Sequence, residues 1–242
     1  MESLNKLKDL NINIYLDGAD IDSIKSFAEN DRINGFTSNP SLMYQNNISN
    51  YKDFIISALK YVKDKPISFE VVVDELDMML DQAKRISEFS KNIYVKIPIT
   101  NTKGESTIPV IKELNSLNIP MNITAILTSF QAIEVIKSIK DPKSEIILSI
   151  FAGRIADTGL DPKNTFHEVM DFTNKIYNFK TLWASPREIF NLYEANDIGV
   201  DIITITPQIL NKCDLFKKNL DDYSLETVQM FLNDAQKNKL EI

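Results

Sequence analysis

The chain is poor in the residues that build several common sites. It has one cysteine, Cys213, one histidine, His167, and six glycines among 242 residues. No disulfide can form within it, and nothing points to an oxidising compartment. A zinc centre built on several histidines or cysteines is excluded, as is catalysis by two histidines or by a neighbouring Cys–His pair. No metal and no cofactor are expected. The glycines are too few for a phosphate-binding P-loop or a GxGxxG turn. No apolar run reaches the ~18–20 residues of a membrane span. The N-terminal MESLNKLKDLNINIYLDG lacks the apolar stretch of a signal peptide. A soluble, cytoplasmic protein without a membrane partner is expected.

Positive charge is also short. Lys+Arg is 27 against 34 for Asp+Glu, a net charge of -7. Scattered signs on an acidic chain argue against a nucleic-acid partner, because such binding rests on neutralising phosphates. The arginines are Arg32, Arg85, Arg154 and Arg187 alone. Arginine is the better bidentate phosphate ligand, so the placement of so few is informative. What the chain does have is apolar bulk. The hydrophobic fraction is 43% and the charged fraction 25%, enough for a sizeable core without staples. No linker divides the chain, and residues 1–242 are expected to form one domain.

Short apolar runs recur, each followed by a segment with helical periodicity. The runs are Asn13–Asp17, Ile33–Thr37, Ile67–Val72, Ile93–Pro98, Pro120–Ala125, Glu145–Phe151, Lys180–Ser185 and Val200–Ile205. Helices are predicted over Ile21–Glu29, Ser49–Val62, Glu75–Phe89, Ser106–Leu117, Ser129–Ile139, Asn164–Tyr177 and Pro186–Ala195. A C-terminal helical segment follows over about 207–242, near Pro207–Leu210 and Ser224–Lys237. Strict alternation argues for a parallel sheet. Eight such units in this length fit an α/β fold of the (β/α)8 TIM-barrel type, about 250 residues long. A doubly wound open sheet is the alternative, but its first strand usually feeds a glycine turn that is missing here.

Side chains alternate along a strand, so one face of a barrel strand points at the axis and the other at the helices. In six of the eight runs, all but Ile33–Thr37 and Lys180–Ser185, one parity is mainly apolar. The other carries Asp17, Glu70, Lys96, Asn122, Thr124 and Ser149, each late in its strand. Sites in these barrels sit at the C-terminal strand ends. Any one of these residues alone would be a cap or turn former. Matched parity and position make them converge. A lysine facing the axis must be paired or partly neutralised. Desolvation lowers the pKa of such a lysine and leaves an amine that attacks carbonyls. Glu70 and Asp17 then supply acid–base chemistry, and Thr124 a hydroxyl that holds a water near Glu70. Asn39, Asn122 and Ser149 offer neutral hydrogen bonds to substrate hydroxyls. Arg154 and Arg187 follow the sixth and seventh runs, with Ser185 beside the second, and loops after late strands of this fold often hold phosphate. His167 and Cys213 stand apart from this set.

The motifs YLDGAD, GFTSNPSLM, SFEV, YVKIPIT, MNITAI, LSIFAGRIAD and WASPR resemble, in order and spacing, those of the transaldolase family over nearly the whole chain. The resemblance implies a barrel that works through a Schiff base. Lys96 would attack a ketose phosphate, and Asp17 would deprotonate its C4 hydroxyl as the C3–C4 bond breaks. Glu70 and Thr124 would hold the catalytic water. Thr37, Asn39, Asn122, Ser149, Phe151, Arg154, Ser185 and Arg187 would bind substrate, the two arginines its phosphate. A dihydroxyacetone unit would pass from fructose 6-phosphate or sedoheptulose 7-phosphate to an aldose phosphate. The related fructose-6-phosphate aldolases release that unit. They resemble this chain but typically carry Gln at Glu70 and Tyr at Phe151, so both positions favour transfer.

Four positions depart from the family pattern: Ser38, Ile150, Ala152 and Pro186. Proline fixes φ and removes a donor, so the Arg187 loop is expected to sit differently, and a specialised sugar is an alternative substrate. A catalytically silent phosphosugar-binding barrel is a further alternative. The expected partners are small sugar phosphates and further copies of the chain in a homo-oligomer. Leu225, Val228, Phe231 and Leu232 form an apolar stripe on the last helix, which packs on its own barrel or on a neighbour.

Overall fold

In a computed structural model of the chain, which describes residues 2–240, the parallel strands close into a barrel in sequential order. They are β1 (Asn13–Asp17), β2 (Ile33–Thr37), β3 (Ile67–Glu70), β4 (Ile93–Pro98), β5 (Met121–Ile126), β6 (Ile146–Ile150), β7 (Phe179–Trp183) and β8 (Ile202–Ile205). β8 pairs back onto β1, so no strand edge is left open. The fold is a (β/α)8 barrel, as the alternation predicts.

The two strand faces have separate cores. Ile14, Leu16, Val95, Ile97, Ile123, Leu148 and Ile203 belong to a large layer under the helices. Tyr15, Ile147, Leu182, Ala184 and Ile202 form a second cluster, joined by Tyr94 and Phe151, at the parity that points to the axis. This cluster plugs the barrel, and the polar residues of the same parity sit above it. Gly35 has a packing reason. A Cβ there would lie 2.6 Å from the Tyr15 ring, so only glycine leaves room for that ring inside the barrel. Next to it the β1–β2 register slips between Ile14 and Tyr15, and the freed Ile14 amide donates to Asn34 Oδ1 at 2.9 Å.

The helices are α1 (Ile21–Ala28), α2 (Pro40–Gln45), α3 (Tyr51–Val62), α4 (Leu76–Ser87), α5 (Ile108–Ser116), α6 (Ser129–Ser138), α7 (Ala152–Asp157), α8 (Pro162–Thr173), α9 (Asn191–Asp197), α10 (Pro207–Leu210) and α11 (Leu220–Lys237). Two of these were not predicted. α2 and α7 are six residues each, too short to show a period. α2 is started by Asn39, whose side chain accepts from the Leu42 amide, with Pro40 at the first helical position. α9 begins at Asn191, not at Pro186, because Asn191 Oδ1 takes the amides of Arg187 and Glu188 at 2.8 and 3.1 Å. α8 begins at Pro162, two residues before the predicted start, capped by Asp161.

α11 begins at Leu220, capped by Asn219. None of its side chains is buried, so its apolar stripe does not pack on its own barrel. No helix among the described residues is long and apolar enough to cross a membrane.

Candidate active site

A cavity of about 540 Å³ opens at the C-terminal ends of the strands. Its wall includes Asp17, Thr37, Asn39, Glu70, Lys96, Thr124, Ser149, Phe151, Arg154, Ser185 and Arg187. The structure therefore brings together every site residue named from the sequence except Asn122. That side chain is fully buried and lies outside the cavity lining. Its Oδ1 accepts from Ser149 Oγ at 2.7 Å and its Nδ2 donates to Ser68 Oγ at 3.0 Å.

Strand pairing sets the floor. Glu70, Lys96 and Asn122 are level on β3, β4 and β5, so period-2 alternation turns all three inward together. Lys96 is only 5% exposed. Its Nζ donates to the Ser38 carbonyl at 3.1 Å and stands 3.4 Å from Glu70 Oε2. Asp17 Oδ1 accepts from Thr37 Oγ1 at 2.8 Å. Burial pushes both carboxyls above the usual range, and the charge of Lys96 offsets part of that rise. Glu70 is held in place through its backbone, since the Tyr51 hydroxyl donates to its carbonyl at 2.7 Å.

Thr124 Oγ1 is buried without a hydrogen-bond partner among the described residues. Such a group is costly unless something polar completes it. It sits beside an irregularity. The β5–β6 register shifts between Ile123 and Ile126, and Ala125 takes φ +60°. The kink puts Thr124 and Ala125 on the cavity wall together, which strict alternation would not.

The rim is built by α7 and the segment after β7. Arg154 is exposed and lies over the Phe151 ring, 5.7 Å from its centroid. Arg187 Nε donates to Asp157 Oδ1 at 3.2 Å and its Nη2 donates to Oδ2. Ser185 takes φ +59°. Gly153 fits under it so closely that a Cβ would lie 1.6 Å from the Ser185 carbonyl oxygen. That atom is backbone and cannot swing aside. Gly153→Ala is expected to destabilise the fold by about 2–3 kcal/mol or more and to displace the Ser185–Arg187 segment. A thermal melt within a degree of wild type would show the contact to be soft.

The candidate site read from the sequence did not include Ser38, Ser68, Tyr51 or Thr204. Ser38 and Tyr51 act through a backbone carbonyl, as acceptor and toward one respectively, which side-chain parity does not register. Thr204 had the right parity on β8 but stood alone among isoleucines. The assembled set is an amine beside two carboxyls on a closed floor, hydroxyls around it and two guanidiniums on the rim. Such a set suits nucleophilic addition to the carbonyl of a small anionic compound.

The sequence model for Transaldolase/Fructose-6-phosphate aldolase matches residues 14–242. A protein of Nitrosopumilus maritimus named "Probable transaldolase" is 34% identical over 230 residues, covering 94% of this chain and 96% of its own. One of the same name from Thermoplasma volcanium is 32% identical over 200 residues, with 81% and 85% covered. Solved structures share the fold at low identity. The protein named KGPDC from Streptococcus mutans superposes with TM-score 0.57 at 11% identity, over 83% of this chain and 90% of its own. Dihydrodipicolinate synthase from Rhodopseudomonas palustris gives 0.54 at 11%, over 93% and 79%.

Proposed function

The chain belongs to the transaldolase/fructose-6-phosphate aldolase family, and from that premise we propose that it transfers a dihydroxyacetone unit from a ketose phosphate to an aldose phosphate through a Schiff base on Lys96. The observation that carries this reading is a lysine 5% exposed, on the wall of the cavity at the C-terminal strand ends, 3.4 Å from the Glu70 carboxyl.

The free Nζ adds to the C2 ketone of the donor sugar. The carbinolamine loses its hydroxyl as water and becomes a protonated imine. Glu70 serves this step, because burial raises its proton affinity and makes it able to take a proton and return it. Thr124 Oγ1, unpartnered in the protein, is placed to hold the water. Asp17 then takes the proton of the C4 hydroxyl. The C3–C4 bond breaks, its electron pair moves into the imine, and the aldehyde leaves. The enamine that stays on Lys96 attacks the acceptor aldehyde, and Asp17 returns the proton; water then adds to the imine so formed, the C–N bond breaks, and the product ketose leaves Lys96 as the amine. Arg154 and Arg187 bind the phosphate at the rim, Arg187 exchanging its Asp157 partner for it.

Phe151 on the wall offers no proton to the enamine, which favours transfer over release. Incubation with fructose 6-phosphate and labelled glyceraldehyde 3-phosphate is expected to move label into the ketose pool. Without an aldose acceptor, little free dihydroxyacetone should form. Sustained dihydroxyacetone release would replace this reading with the aldolase one, and no reaction with any ketose phosphate would overturn both.

A further inference from the structure

We infer that Thr204 is a positioning residue for Asp17, acting through Thr37, in a hydroxyl chain that runs across three neighbouring strands. Its catalytic meaning rests on the assignment of Asp17 as the base.

The barrel closure creates the chain. β1 lies between β2 and β8, so Asp17 is level with Thr37 on one side, and Tyr15, two residues earlier, is level with Thr204 on the other. Thr37 is 2% exposed and Thr204 5%. Thr37 Oγ1 makes hydrogen-bond contacts to both Asp17 Oδ1 and Thr204 Oγ1. A hydroxyl has one hydrogen and two acceptor lone pairs. Ionised Asp17 is an acceptor only, so Thr37 must give its hydrogen to the carboxylate. The contact with Thr204 then requires Thr204 to donate. The order is Thr204 O–H to Thr37 O, and Thr37 O–H to Asp17 Oδ1.

Two consequences follow. Accepting from Thr204 polarises the Thr37 hydroxyl and strengthens its bond to the carboxylate. It also removes the alternative rotor in which Thr37 points at Thr204 and leaves Asp17 without a donor. Among the described residues Thr37 is the sole hydrogen-bond donor to Asp17, so the whole orientation of that carboxylate passes through this link, and Oδ2 is left for the substrate. The charged groups that share the cavity with Asp17 are Glu70 on β3, Lys96 on β4, and Arg154 and Arg187 at the rim. β2 and β8 present the two hydroxyls.

The test uses the whole protein, with aspartate carbons labelled and the Asp17 carboxyl signal assigned by its loss in Asp17→Asn. Thr204→Val keeps the side-chain shape and removes the hydroxyl. It is expected to raise the Asp17 titration midpoint by about half a pH unit, and Thr204→Ser is expected to restore it. In a Thr37→Val background, Thr204→Val is expected to add nothing further. The acid limb of the pH–rate profile should move with the midpoint. A packing role alone would lower the melting temperature and leave the midpoint in place. A wild-type midpoint in Thr204→Val, or an equal shift in the Thr37→Val background, overturns the inference. Thr204→Ala serves the same comparison if the valine variant does not fold. The titration needs no substrate, so it is independent of whether borohydride traps a ketose on Lys96, which bears on the Schiff-base reading alone.

Discussion

Lys96→Ala is expected to yield no covalent adduct when fructose 6-phosphate and borohydride are added together, whereas the wild type gains one reduced three-carbon or six-carbon unit on the peptide containing residue 96. Turnover is expected to fall on the order of 10⁵-fold or more, because a covalent route has no substitute once its nucleophile is gone. Lys96→Arg should lose as much. It keeps the positive charge between Glu70 and Asp17 but has no amine to add to a ketone, so it separates nucleophilicity from electrostatics. Lys96 is the single lysine among the cavity-lining residues described. An adduct that persisted in Lys96→Ala would therefore lie on a lysine outside the cavity and would end the assignment.

The same variant has an electrostatic consequence. In the wild type the charge of Lys96 holds down the proton affinities of Glu70 and Asp17, which burial raises. Without it both carboxyls rise further. A group whose folded-state pKa is raised gives stability at low pH that is lost as pH rises through that value. Lys96→Ala should therefore lose more melting temperature than the wild type on going from acidic to mildly alkaline buffer.

Why these residues could be read from sequence, and others not, comes down to range. The floor rests on strand alternation, a period of two that IYVKIP and MNITAI display within six residues. A helix layer outside the barrel forces aliphatics onto one parity, and polar residues on the other have only the axis to face. The motifs beyond periodicity carried the family resemblance, and the match over residues 14–242 agrees with it. What stayed hidden depends on contacts between distant segments or on backbone groups. The kink at Ala125 has no glycine to announce it. The pairing of Arg187 with Asp157 spans 30 residues. The partner of Lys96 just after β2 is the carbonyl of Ser38, which any residue would supply. Asn122 had the right parity, yet its amide is engaged by two serines and stays out of the cavity wall. Parity gives the face, not the height or the neighbours.

Asp17→Asn is expected to separate the two halves of the reaction and to stabilise the protein while doing so. The substitution leaves Lys96 intact, so the borohydride adduct should still form. It removes the base for the C4 hydroxyl, so carbon–carbon cleavage and transfer should slow by about 10²–10⁴-fold. The amide oxygen at position 17 can still accept from Thr37 Oγ1, so local geometry is retained. The stability effect follows from linkage. In the unfolded chain this carboxyl titrates near ~3.9. In the fold its affinity for the proton is raised, burial outweighing Lys96 and Thr37. The native state thus keeps a proton that the unfolded state has lost, and stability falls as pH climbs from the unfolded value through the folded one. Above that window the full cost of an ionised, desolvated carboxylate stands. An amide carries no such cost. The melting temperature of Asp17→Asn should therefore match that of the wild type near pH 4 and exceed it at pH 7–8. Such a trade of stability for function is common where a site keeps a charge out of water. A cleavage rate within a few-fold of wild type would remove Asp17 from the mechanism. A melting difference that did not grow between pH 4 and pH 8 would show that its burial is compensated by groups other than Thr37 and Lys96.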